Sequence, residues 1–325
     1  MKSSRLLLLF FFLAPLLLLA QNRDQQSKNK SMGIDFALVQ AGTFQMGSSS
    51  RDNEAPVHSI TLSGFSIDRT ETTYKKWTEV RDWGLTHGYA DLPEGRNGYN
   101  GTTNQPVTEI TWYDVVKWCN ARSEKEGLTP AYYTDSTLST VYREGEIDLT
   151  SGAVKWSAKG YRLPTEAEWE FAARGGTSSK GYIYSGGNTL NEVAWYELNS
   201  DTTTHAVGTK AANELGIFDM SGNVAEWCWD WYGDYSTSSQ TNPKGPSSGT
   251  YRMNRGGTFG GDDGSCRVAF RDNLYGPEGS SGGIGFRCVL ASGGVSAPEA
   301  QSGPASTVAG SSATNSNATV AWVIP

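Results

Sequence analysis

Histidine is the scarcest chemistry-bearing residue in this chain: three among 325. His58, His87 and His205 are scattered, with no spacing that would bring two of them to one ion, so zinc and non-haem iron sites are not supported. There is no Ser-His-Asp arrangement and no glycine-rich phosphate loop. No run of basic residues occurs either. With 27 Lys and Arg against 34 Asp and Glu the formal charge is −7, which argues against nucleic acid or anionic lipid as a partner. Long helical patterns are few. A single apolar run, residues 6–19, approaches membrane length and is too short to span comfortably.

That run follows Lys2 and Arg5 and ends at Ala20-Gln21, the pattern of a secretory signal peptide over residues 1–20. Leu18 is large for a position before cleavage, so an uncleaved anchor is the alternative. No cysteine follows the run, which argues against a lipoprotein. Removal of the segment would take away two cations and no acid, moving the formal charge from −7 to −9. The mature protein is then expected to be secreted or periplasmic, with no membrane span. Residues 21–32 (QNRDQQSKNKSM) read as a linker. Residues 291–325, rich in Ser, Ala, Gly and Thr, read as a disordered tail. Between them, residues 33–290 are long enough for one domain with a real core.

Glycine (38) and tryptophan (11) are abundant, which points to an irregular fold whose loops are held by buried rings. Four cysteines in an exported protein suggest two disulfides, and the residues alone leave three pairings open. FALVQAGTFQMGS reads as a short strand and HSITLSGFSIDRTE as a second strand region. A helix follows with Tyr74, Trp77 and Val80 on one face and Gly84 as its stop. Thr111 and Asp114 have capping-box spacing before a helix that buries Val115, Trp118 and Cys119; Thr165 and Glu168 repeat the signal, with Gly175 as the stop. Residues 132–158 read as a β-excursion, with YTDSTLSTVY and AVKWS as short strands. From Gly181 onward no helix is convincing. The expected class is α+β, irregular and low in secondary structure.

Taken in order, AGTFQMGS, PVH, NQPVTEITWYDVVKWCN, YRLPTEAEWEFAARGG, GIFDMSGNVAEWCWDW, NRGGTF and GIGFRCV resemble the sulfatase-modifying-factor family, founded by the formylglycine-generating enzymes. The resemblance covers roughly residues 34–290 and implies a fold related to C-type lectins. Fold does not fix function here. The family's aerobic enzymes hold Cu(I) between two cysteines, a soft-ligand site suited to that ion. The resemblance puts Gly261 and Asp263 at those positions, and Cys266 at neither, so copper is not expected. It further implies one bridge, Cys119 with Cys288, and leaves Cys228 and Cys266 as a replacement pair. The family's other bridge would fall at Ala173 and Val268.

The resemblance also implies a structural Ca²⁺ held by Asp219, Gly222, Val224 and Glu226, a set of hard oxygen ligands. A second family calcium site would need an asparagine where Val193 stands; Asn191 and Asn199 are its only substitutes. His58 and His205 fall in core landmarks and read as hydrogen-bonding groups. The polar loops DNEAPV, EGRNGYNGTTNQ, GGDDGSC and DNLYGPEGSSGG would converge on a lectin-like surface, where Asp262, Asp263, Asn273 and Tyr275 would meet a protein, peptide or glycan. The resulting expectation is an exported binding or accessory module without the catalytic cysteine pair. The alternatives are an oxidoreductase that converts a sulfatase cysteine to formylglycine, and a periplasmic tailoring enzyme of the pyoverdine type.

Overall fold

The structure, a computed structural model, describes residues 36–99, 101 and 104–291. The expected signal peptide, the linker and residues 292–325 of the tail lie outside the described residues. Regular structure is sparse and divided among small sheets. β1 (Phe36–Val39), β4 (Phe65–Asp68), β12 (Val289–Ala291) and β7 (Tyr161–Arg162) form one sheet in the order β1-β4-β12-β7. Every pairing in it is antiparallel, so the first and last described strands flank β4. In a second sheet β8 (Ala225–Trp231) lies between β10 (Arg252–Arg255), antiparallel to it, and β11 (Ile284–Gly285), parallel. β2 (Gly42–Met46), β3 (His58–Leu62) and β9 (Gln240–Thr241) make the third, and β5 (Arg96–Asn97) pairs with β6 (Val107–Thr108).

The stretch expected as one strand from Phe36 is therefore two, because the chain leaves extended pairing at Gln40 and Ala41 and changes sheets. The region from His58 divides likewise. Between its strands β3 and β4, the Ser63 amide donates to Asn242 Oδ1 at 2.8 Å, fixing the break with a side chain far away in sequence.

Helix α1 (Tyr74–Gly84) starts at Thr73, whose hydroxyl accepts the Lys76 amide, and buries Trp77, Val80 and Gly84. Helix α2 (Trp112–Lys125) carries the capping box of Thr111 and Asp114 in both directions. The two helices meet through stacked Trp77 and Trp118, 5.7 Å apart, with Phe286 set edge-on to both. Helix α3 (Glu166–Ala173) has its own capping box, Thr165 with Glu168, and every one of its residues is buried. The second half holds one helical turn, α4 (Leu190–Val193). Among the described residues no helix is long and apolar enough to cross a membrane.

The core has two large parts and a small third one around Leu190 and Tyr196. One large part gathers Trp77, Trp112, Trp118, Trp227 and Trp229 around α1 and α2; the other packs Trp169 and Phe171 of α3 against Ile60, Phe65 and Met253. Burial of α3 brings Glu166, Glu168 and Glu170 inside, where a carboxylate must be paired. Arg271 reaches Glu166 at 2.6 Å, Arg162 reaches Glu168 at 2.6 Å, and Arg255 and Arg174 share Glu170.

The β-excursion expected over residues 132–158 does not form strands. Isolated bridges, Tyr132 with Val154 and Tyr133 with Val141, stand in its place. The buried Asn120 of α2 takes the backbone bonds instead. Its Nδ2 donates to the carbonyls of Tyr132 (2.8 Å) and Tyr142 (3.0 Å), and its Oδ1 accepts the amides of Ala131 (3.2 Å) and Tyr132 (3.0 Å). The Tyr132 carbonyl also accepts the Tyr142 amide, so Asn120→Leu leaves three buried backbone groups without partners, at about 1–3 kcal/mol each, and a loss of at least about 3 kcal/mol is expected in urea unfolding. A loss under about 1 kcal/mol would show that the loop holds itself.

Candidate functional site

The loop at residues 256–271 leaves β10 and folds back on itself. At Gly257 (φ 73°) an added Cβ would lie 2.7 Å from the Ser265 carbonyl oxygen, so only glycine permits that closure. The acids of the loop serve its own turns. Asp262 Oδ1 accepts the Ser265 amide at 2.8 Å, and Asp263 Oδ1 accepts the Gly264 amide at 2.9 Å. Gly261 accepts the Glu197 amide through its carbonyl at 3.1 Å. Arg267 forks onto Glu54 at 2.9 and 2.5 Å, joining this loop to DNEAPV. At the loop's two ends stand Arg255 and Arg271, two of the arginines that neutralise α3.

Cys266 is fully buried against Leu190, Val193, Ala194 and Tyr196, and burial pushes its thiol up to about 12. Cys228 lies in a different apolar cluster, with Trp169 and Met253, and burial holds its thiol well above the ordinary range. The structure thus does not bring together the two cysteines suggested as a replacement pair, because β8 and the loop bury them in separate clusters. Cys119 and Cys288 do meet, sulfur to sulfur at 3.6 Å. No two of the four sulfurs stand at the about 2.05 Å of a disulfide in this arrangement.

Asp219 and Glu226 also come together, in company the sequence did not disclose. Arg287 donates to both oxygens of Glu226 (2.6–2.9 Å), its Nε–H shared between them, and Trp169 Nε1 adds a bond at 2.8 Å, so three N–H groups converge on the carboxylate. Glu71, fully buried, accepts the side chain of Asn223 at 2.7 Å and the Val224 amide at 3.1 Å. Asp219 accepts the Gly208 amide at 2.6 Å. Three buried acids therefore share one arginine. Burial, reinforced by the neighbouring carboxylates, raises Glu71 well above its usual range, and burial lifts Asp219 to about 6. Of the set Asp219, Gly222, Val224 and Glu226, the two carboxylates lie close together, Glu226 held by Arg287 and Asp219 by the Gly208 amide. Among the described residues no group of three or more His, Cys, Asp or Glu side chains is placed to hold a metal.

Asn199 donates to Asn191 at 3.2 Å and accepts the Tyr196 amide at 2.9 Å, so the second suggested set spends itself on a turn near Val193. His58 is buried with Nδ1 2.9 Å from the Pro56 carbonyl, and His205 stacks on Trp195 with Nε2 2.9 Å from the Ser200 carbonyl. The polar loops do converge. Tyr99, about half exposed, meets Phe259 edge-on at 5.1 Å, carries the Arg96 guanidinium over its face at 4.1 Å, and rests against Gly282. Tyr275, expected on that surface, packs instead against the first core and accepts the Arg252 amide through its carbonyl. Sequence reasoning missed the Tyr99–Phe259 ledge, since the two rings lie far apart in the chain.

Small irregular sheets, a tryptophan-rich core and converging loops at one face define an irregular α+β domain. Residues 21–292 match the sulfatase-modifying factor enzyme 1-like domain, and the chain belongs to that family. It is 36% identical to the chaperone protein LppX of Paenibacillus barcinonensis, over 78% of this chain and 89% of that one. It is 31% identical to the formylglycine-generating enzyme of Thermomonospora curvata, over 78% and 92%. Among solved structures it resembles Treponema denticola variable protein 1, with 33% identity, a TM-score of 0.66, and coverage of 79% and 94%.

A thiol held at about 12 is ionised to only roughly 10⁻⁴ at pH 8. Native, fully reduced protein is therefore expected to leave Cys266 unmodified by a thiol-disulfide reagent for hours, and to release all four thiols on unfolding. Modification of Cys266 within minutes in the native state would contradict its burial.

Proposed function

We propose that this protein is an exported binding module of the family, without the copper–thiolate chemistry of formylglycine-generating enzymes, that holds a polypeptide on its loop face. The burial of Cys266 carries this reading. Its thiol faces an apolar cluster rather than the surface, and the positions that resemblance assigns to the copper ligands are Gly261 and Asp263. The relative named as a chaperone supports a polypeptide as partner, and the Tyr99–Phe259 ledge offers the amphipathic aromatic area that such contacts use. Export would expose the facing thiols of Cys119 and Cys288 to oxidising conditions, and the proposal has them bridged, with Cys228 and Cys266 left as thiols.

The similarity to a formylglycine-generating enzyme over 92% of its length favours a second reading, oxidation of a substrate cysteine. One experiment separates the two. Reduced, denatured lysozyme is diluted into the protein while light scattering is followed, and a Cys-x-Pro-x-Arg peptide is incubated with copper-loaded protein and oxygen before weighing. The proposal expects suppressed aggregation, weakened roughly tenfold or more by Tyr99→Ser, and an unchanged peptide. Undiminished aggregation, together with a peptide mass loss that requires Cys266, would overturn it in favour of the enzyme.

A further inference from the structure

A cavity of about 300 Å³ opens on another part of the molecule, lined from β2, β3, the end of β8 and residues 233–246, and sharing no residue with the Tyr99–Phe259 ledge. Among its polar lining groups is Asp230, only 4% exposed. Asp230 Oδ2 accepts the Glu166 amide at 2.8 Å, while Oδ1 has no donor among the described residues. The chain passes Oδ1 with a glycine. At Gly245 (φ 70°) an added Cβ would come 2.8 Å from that oxygen, so any other residue would crowd the space above it.

The remaining charges of the lining are committed elsewhere. Glu166 is held by Arg271 at 2.6 and 2.9 Å and by the Tyr235 hydroxyl at 3.0 Å. Arg271 spends its other donors on the carbonyls of Asn53 and Gly233. The Lys244 ammonium lies over the Trp156 ring, 3.8 Å from its centroid. With the Glu166–Arg271 pair neutral and Asp230 ionised, Asp230 and the exposed Asp234 outweigh Lys244 by one negative charge. Met46 and Ile60 supply an apolar side. Such a cavity suits a cation on a methylene stem, with the charge at Asp230 and the stem on the apolar wall.

We propose that this cavity binds an alkylammonium or guanidinium group, with Asp230 as its counter-ion. Two sources share that chemistry: a free aliphatic amine, or a lysine or arginine side chain of another polypeptide. The site is independent of the loop face and stands whether or not that face binds a polypeptide.

The groups around Asp230 give the binding a pH signature. Burial and the Glu166 charge raise Asp230 to about 7, Glu168 adds to this, and Lys244 opposes it. Buried Arg162 and Arg252 lie within its electrostatic reach, as does the thiol of Cys228, and His58 of β3, with Nδ1 2.9 Å from the Pro56 carbonyl, lines the same cavity. A bound cation favours the ionised carboxylate, so binding should release a proton near neutrality and tighten about tenfold from pH 6 to pH 8.

The full chain is titrated calorimetrically with cadaverine, agmatine, and end-blocked tripeptides centred on Lys or Arg, at pH 6, 7 and 8 in buffers of different ionisation heat. Saturable binding with proton release is expected. Tighter binding of the tripeptides would assign the source as a polypeptide, and tighter binding of the amines as a free ligand. Asp230→Asn keeps the acceptor for the Glu166 amide; it should weaken binding at pH 8 at least tenfold and remove the pH dependence. Ser236→Trp, at the cavity wall, should block binding in a variant that leaves Asp230 intact. Absence of binding by all four probes, or folded Asp230→Asn protein that binds like the parent, would overturn the proposal. So would binding of butyrate in preference to the amines.

Discussion

Helix α3 buries three carboxylates in eight residues, and much of the molecule is organised around neutralising them. Arg162 comes from β7, Arg255 from β10 and Arg271 from the far end of the loop that follows it. Burial by itself would push these acids toward neutrality, but the guanidinium beside Glu168 outweighs it and brings that carboxyl down to about 2; Arg271 and Arg255 hold Glu166 below its usual range. Removing one partner from such a pair costs about 3–5 kcal/mol, because the other charge is left buried alone. The loop at residues 256–271 is thus fastened at both ends to the same helix, and Arg267 fastens its middle to Glu54. What hangs between these clamps is short turns and a buried thiol.

A second pair ties the remaining parts together. Arg287 satisfies Glu226 and also donates to the carbonyls of Asp68 and Phe218, so β4, β8 and the turn before β8 converge on one guanidinium. Glu71 and Asp219 crowd the same spot. The electrostatic design is therefore one of internal arginines matched to internal acids. This affects how the family resemblance is used. The acids of GIFDMSGNVAEW sit where the resemblance expects oxygen ligands, yet in this arrangement Glu226 is spoken for by a residue 61 positions away.

Local signals were legible and distant ones were not. Both capping boxes could be read because a cap and its partner lie three residues apart, and the buried faces of α1 and α2 follow the helical period. The ordered landmarks carried the family. The failures share one cause. FALVQAGTFQMGS splits because its halves find different partner strands, and residues 132–158 give up strand pairing because Asn120 satisfies their backbone from a helix. Glu71 was overlooked because nothing beside it in the chain marks it; its neighbours Asp219, Asn223 and Val224 arrive from about 150 residues later. The contrast between Cys266 and Cys228 is of the same kind, since each belongs to a cluster assembled by tertiary packing.

The account turns on whether the clamped loop keeps its thiol inside, and Cu(I) reports on that directly. Fully reduced protein is titrated anaerobically with Cu(I) in the presence of the competing chelator bicinchoninate, with the ultraviolet thiolate-to-copper band followed alongside. If Cys266 is held as a buried thiol, the competitor keeps the copper and the band does not develop. Retention of one equivalent of copper, with a band that disappears in Cys266→Ser, would contradict the account and place a soft-metal site in the loop.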